Sequence, residues 1–142
     1  MSGKTNKILV PTDFTKVADN AIAHAMRLAK HTGAEVYLLH VVAKQDEVDE
    51  TRRKLELEQQ RAQAMESGIA VHKLVRIGSI FDDIGDAAAE IGADLIVMGT
   101  HGMRGMQFLT GSRALRVITS SNVPFIVVQE RSIKEGGYDS IV

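Results

Sequence analysis

The feature that most restricts this chain is an alternation of two hydrophobic periods. Short, β-prone apolar runs recur along it, and longer stretches with helical spacing separate them. KILVP at 7–11 reads as a short buried strand, with Asp13, Phe14 and Thr15 following as turn and helix-start residues. From 16 to 32, Val17, Ala18, Ala21, Ile22, Ala25, Met26, Leu28 and Ala29 fall on one helical stripe. Gly33 stands where a left-handed C-cap belongs. EVYLLHVV at 35–42 is nearly continuously apolar, the pattern of a strand covered on both faces.

The charged stretch 44–66 has no internal Gly or Pro and is rich in helix formers. Val48, Thr51, Leu55 and Ala62 can face a sheet, while pairs such as Glu50 with Lys54 occupy the solvent side. Large apolar residues are too few for a coiled coil, so the segment is a surface helix, ended by Gly68. AVHKLVR at 70–76 is the third strand. Gly78 and Ser79 open a helix, with Ser79 and Asp82 in capping-box spacing and Gly92 at its end. Ile80, Ile84, Ala87, Ala88 and Ile91 form its buried side. DLIVM at 94–98 is the fourth strand, a last helix runs from about 112 to 120, and VPFIVV at 123–128 is the fifth strand.

This β-α-β-α-β-α-β-α-β pattern predicts an α/β fold: an open, mostly parallel five-stranded sheet with helices on both faces. Periodicity does not give the strand order. The length of 142 residues suits one domain, and 44% hydrophobic against 25% charged residues can bury a core while keeping a polar surface. A formal net charge of -1 argues against a disordered chain and against a dedicated nucleic-acid binder. With no cysteine there is no disulfide, thiolate nucleophile or cysteine metal site, which fits a reducing compartment. No apolar run approaches the roughly 18 residues of a spanning helix. The opening MSGKTNKILVPTDF does not read as a signal peptide.

In open α/β sheets, ligands bind beyond the carboxyl ends of the strands, near a switch in strand order. Three stretches belong there: Pro11, Thr12 and Asp13; Val41 and Val42; and Gly99 to Ser112. In the last, Gly99, Gly102 and Gly105 recur every third residue, and Gly111-Ser112 precedes a helix. Such glycines admit an anion close to the backbone, and N–H groups at a helix start can cradle phosphate. Thr110 or Ser112 offers a hydroxyl, and His101 and Arg104 stand in the same loop. Asp13 can bond a ribose or base, hold a divalent ion, or simply act as a helix N-cap. His24, His31, His40 and His72 show no ligand spacing, and His40 reads as a satisfied residue at the core edge. Met103, Met106 and Phe108 read as loop anchors, and Arg52 and Arg53 as surface. The loop is neither a Walker A motif, since Ser112 follows Gly111 directly, nor a first-turn dinucleotide fingerprint. No Ser-His-Asp arrangement with an elbow glycine pattern is present.

KILVPTDF, LLHVV, GADLIVMGTHG, GSRALRVI and VPFIVV, in this order and spacing over about residues 6–129, resemble the universal stress protein (UspA-like) family. That resemblance implies the strand order 3-2-1-4-5 in a Rossmann-like sheet of the adenine nucleotide alpha hydrolase-like type. It implies a cytoplasmic homodimer pairing through the 123–128 edge strand, or a tandem pair of such domains; charge balance and the lack of a long apolar run add the expectation of no nucleic-acid or membrane partner. It implies an adenine nucleotide (ATP, ADP or AMP), with Mg2+ or Mn2+, and slow or no hydrolysis. The residues that match the family's pattern are Asp13, Val41, Gly99, Gly102, Gly111 and Ser112; the strand ends and the loop add Pro11, Thr12, Met98, His101, Arg104 and Gly105 to the expected site, with Asp13 as the metal contact through the nucleotide. Nucleotide-binding members carry Gly, two residues, Gly, nine residues, Gly, then Ser or Thr. Here only eight residues separate Gly102 from Gly111, which favours the alternative of a dimeric stress protein acting through protein contacts. A weak ATPase would need His101 or Asp13 to position water.

Residues 1–129 thus read as one domain. ERSIKEGG at 130–137 is a polar linker, and YDSIV at 138–142 turns apolar again, as NKILV does at 6–10. It fits either the start of a second copy of the domain or a C-terminal extension.

Overall fold

Helices on both faces of a parallel sheet follow from how the strands divide their side chains. In the computed structural model, residues 6–78, 80–100 and 123–129 are described, with only the backbone of residues 80–83, 100 and 129. The elements are β1 (Lys7–Pro11), α1 (Lys16–Thr32), β2 (Glu35–Val42), α2 (Val48–Met65), β3 (Val71–Ile77), α3 (Ile80–Ile91), β4 (Leu95–Thr100) and β5 (Phe125–Gln129). The five strands order as β3-β2-β1-β4-β5, every pair parallel. Ile8, Val10, Val36, Leu38 and Val97 pack on one face with α1 and α2, through Ala21, Ala25, Met26 and Leu55. Leu9, Leu39, Ile96 and Met98 pack on the other with Ile84, Ala87 and Ala88 of α3. Period-2 alternation on the strands thus supplies two cores.

The helical stripe predicted for α1 is buried at Val17, Ala18, Ala21, Ile22, Ala25, Met26 and Ala29, with Leu28 half-buried. Thr15 is the N-cap, its hydroxyl accepting from the Ala18 N–H, and Gly33 closes the helix at φ 80°. Asp13 therefore does not cap α1: its carboxylate instead accepts from the Thr15 N–H and hydroxyl.

Several boundaries differ from the sequence reading: the third strand runs Val71–Ile77, one residue later than read, and the fourth and fifth extend to Thr100 and Gln129. Three other starts move beside a visible local feature. The helix expected from 44 begins at Val48, because residues 45–47 form a 3-10 turn in which the Glu47 carboxylate accepts from the Ala43 and Lys44 N–H groups. The fourth strand begins at Leu95, and the Asp94 carboxylate before it ties the amino ends of β4 and β1 together, accepting from the N–H groups of Asn6 and Lys7. The fifth begins at Phe125, since Pro124 has no N–H and offers only its carbonyl, which accepts from Ile96 N–H at 2.9 Å. The side chains of Ser79 and Asp82, the helix expected at 112–120 and the segment 130–142 lie outside the described residues. Among the described residues no helix is long and apolar enough to cross a membrane.

Candidate functional site

Strand order reverses at β1, which has β2 on one side and β4 on the other. Their carboxyl ends diverge there, and a cleft of about 220 Å³ opens between them. Pro11, Thr12, Asp13, Val41 and Gly99 line it, five of the residues expected from the sequence. Met98 sits one residue before Gly99 with its side chain in the α3-side core. His101, Gly102, Arg104, Gly105, Gly111 and Ser112 lie outside the described residues. Sequence reasoning missed Ala18, Leu39, Ala43, Gly78 and Ile84 as further lining residues, and it took His40 for a structural residue alone.

The turn after β1 is held by a set of hydrogen bonds. Thr12 N–H donates to the Leu39 carbonyl at 2.8 Å, carrying the β1–β2 ladder one residue past the strand. The Thr12 hydroxyl accepts from Phe14 N–H at 3.1 Å and donates to Glu58 of α2 at 3.3 Å. Thr12 is itself only 5% exposed. Phe14 has φ 67°, a left-handed conformation in which a bulky residue is strained. The surrounding bonds hold it: Asp13 is tied to Thr15, Thr12 to Phe14, and the Phe14 ring packs on His40 with centroids 4.7 Å apart.

His40 Nδ1 lies 2.6 Å from the Thr12 carbonyl. A carbonyl only accepts, so Nδ1 carries the proton. His40 thus does both things: it satisfies the turn's backbone and forms part of the cleft wall. Its place at the end of the LLHVV strand, next to Val41, was the available signal.

Gly99 has a packing reason beside any ligand. A Cβ there would sit 2.7 Å from the Val17 carbonyl oxygen and 3.0 Å from its side chain. Glycine therefore lets α1 lie close against β4, which brings the helix start to the cleft.

Beneath the turn lies Glu58, which the sequence reading placed on no site. It is 3% exposed, and its carboxyl is pushed up to about 7, first by burial and then by the neighbouring Asp19. The Thr12 hydrogen bond and Arg61, 3.8 Å away, act against that rise. Among the described residues no three His, Asp or Glu side chains are placed to share a metal ion.

A parallel sheet with this strand order and a cleft at its switch point defines a doubly wound α/β protein. The universal stress protein family matches residues 4–129, and the chain belongs to that family. Universal stress protein MJ0531 of Methanocaldococcus jannaschii is 33% identical over 139 residues, covering 87% of this chain and 82% of that protein. The structure of MJ0577 superposes with a TM-score of 0.75 at 30% identity, covering 89% of this chain and 97% of that one. A universal stress protein from Archaeoglobus fulgidus, solved in complex with dAMP, superposes with a TM-score of 0.68 at 28% identity, covering 87% and 97% of the two chains.

Proposed function

We propose that this chain is a stress-response protein that binds ATP or a related adenine nucleotide in the switch-point cleft, with slow or no hydrolysis. The observation that carries this reading is the convergence of Pro11, Thr12, Asp13, Val41 and Gly99 on one cleft between β1, β2 and β4. The relative solved with dAMP supports the choice of an adenine nucleotide. The cleft volume of about 220 Å³ is below the ~300–1,000 Å³ of sites that enclose a whole drug-sized ligand. It suits the base and sugar, which leaves the phosphates for the 99–112 loop with Gly102, Gly105, Gly111 and Ser112. His101 and Arg104 would be the loop's polar contacts. Met98 would serve from below, as core packing for the strand that delivers Gly99.

Asp13 takes the ribose in this assignment. Its Oδ1 is already engaged by Thr15, so the carboxylate is oriented before a ligand arrives. Magnesium or manganese would come bound to the phosphates, with Asp13 as the nearby carboxylate. Binding without efficient turnover fits a cleft whose described wall is mostly backbone and apolar side chains.

A second reading rests on the loop, one residue shorter between Gly102 and Gly111 than the binding pattern. In it the chain is a dimeric stress protein working through protein contacts. β5 favours pairing in either reading: it is an edge strand bonded to β4 alone among the described strands, and Val127 on it is 42% exposed. We assign the pairing edge to 123–128, in a cytoplasmic homodimer or a tandem pair in which 130–142 leads to a second domain.

Calorimetric titration of nucleotide-stripped protein with ATP, with and without magnesium, tests the choice. Micromolar binding that Asp13→Ala weakens at least tenfold is expected. An absence of heat up to millimolar ATP, with the protein folded, favours the second reading.

A further inference from the structure

Glu58 suits a helix, yet on α2 it is out of place by its burial, at 3% exposed. The helix buries Val48, Leu55 and Ala62, and Glu58 takes its place in the same stripe. A leucine would fill that position without opposing folding, whereas a buried carboxylate does oppose it unless well paired. Its pairing is incomplete: Oε2 accepts from the Thr12 hydroxyl, Arg61 stands 3.8 Å off, and Oε1 is buried with no hydrogen-bond partner. Residues that break consistency in this way tend to sit at functional sites.

The contact leads to the cleft. Glu58 holds Thr12, Thr12 holds the N–H of Phe14, and Phe14 is the left-handed residue of the turn. One helical turn earlier on α2, Lys54 Nζ lies 5.4 Å from the centroid of the Phe14 ring. α2 therefore meets the turn at two points, although none of its residues lines the cleft.

We propose that Glu58 is a positioning residue for the nucleotide site: acting through the Thr12 hydroxyl, it sets the turn that the ligand meets, and its ionisation tunes the site's affinity. This rests on the nucleotide-binding reading above. The charged form accepts a charge-assisted hydrogen bond from Thr12, stronger than a neutral one. The acid form has the Asp19 carboxylate of α1 beside it as an acceptor, so protonation relaxes the hold on Thr12. Among the described residues the other charged groups around it are few. Arg61, on its own helix, bridges Asp19 at 3.7 Å and Glu58 at 3.8 Å. His40 of β2 lies on the far side of Thr12, and Lys73 of β3 is turned to Gln59 at 3.4 Å.

The test measures ATP–magnesium affinity between pH 6 and 8, with melting temperatures, for the wild type, Glu58→Gln and Glu58→Leu. Glu58→Leu is expected to melt higher yet bind about tenfold more weakly at pH 8. A merely structural role would not separate those two readouts. Glu58→Gln keeps an acceptor for Thr12 but never ionises. The ratio of wild-type to Glu58→Gln affinity is expected to rise about threefold or more from pH 6 to pH 8, the ligand's own titration cancelling in the ratio. A flat ratio, or a folded Glu58→Leu that binds like the wild type, overturns the inference alone. A wild type that binds no ATP overturns it together with the nucleotide reading. If Glu58→Leu does not fold, the ratio decides.

Discussion

α1 and α2 lie on the same face of the same sheet and are nearly equal in length, yet they bury different chemistry. Every buried residue of α1 is apolar, from Val17 to Ala29. α2 buries Val48, Leu55 and Ala62 but also Thr51 and Glu58. α1 is built for close packing: its alanines and the bare Gly99 opposite Val17 bring it against β1 and β4. α2 carries a polar group inward and delivers it to the turn that shapes the cleft. One helix stabilises the fold, and the other gives up some stability to organise a site.

The largest expected effect lies on the packing side. Met26 is fully buried, and Met26→Ala should cost about 2–5 kcal/mol in urea denaturation. A loss well under 1 kcal/mol would remove the contrast. On the other helix the sign reverses. The folded protein keeps the Glu58 proton up to about pH 7, whereas the unfolded chain releases it near the ordinary value of 4.5. Folding therefore takes up a proton between those values, and this group's contribution to stability falls as pH rises through that window. Relative to Glu58→Gln, the wild type should lose up to roughly 3 kcal/mol from pH 4.5 to above pH 7. Parallel stability curves for the two proteins would show that burial of this carboxylate has no consequence.

Gly99→Ala comes next, because the nearest atom its Cβ would meet is the Val17 carbonyl oxygen at 2.7 Å, which cannot swing away as a side-chain end could. About 1–3 kcal/mol is expected, read as a lower melting temperature. Thr15→Ala removes the α1 cap and should cost about 1 kcal/mol. Smallest is Glu50→Gln: its pair with Lys54 is exposed and 3.9 Å long, so a change below about 0.5 kcal/mol is expected. A larger effect there would mean that α2's outer face also supports the turn, through Lys54 on Phe14.

The same contrast explains what could be read before the structure. The stripe of α1 was legible because burial and helical period coincide at every position but the half-buried Leu28. The inward positions Val48, Thr51, Leu55 and Ala62 of α2 were legible for the same reason. Glu58 was not: a glutamate among ELEQQ reads as solvated surface, and only the tertiary position of Thr12 gives it a partner. Pro11, Thr12, Asp13, Val41 and Gly99 were legible as strand ends in a parallel sheet. His40 and Gly78 were not, since lining a cleft depends on where strands splay, which period-2 alternation does not encode. Two strand starts moved beside equally local features, a missing N–H at Pro124 and a carboxylate at Asp94 that ties the amino ends of β4 and β1 together.

Backbone amide NMR on isotope-labelled protein titrated with ATP shows most directly whether the switch-point cleft receives an adenine nucleotide. Saturable shifts concentrated at Thr12, Asp13, His40, Val41 and Gly99 are expected, with amides at the amino ends of β1 and β4, such as Asn6 and Asp94, unmoved. Shifts confined to residues away from the cleft, or none at millimolar ATP, would contradict nucleotide binding in the cleft.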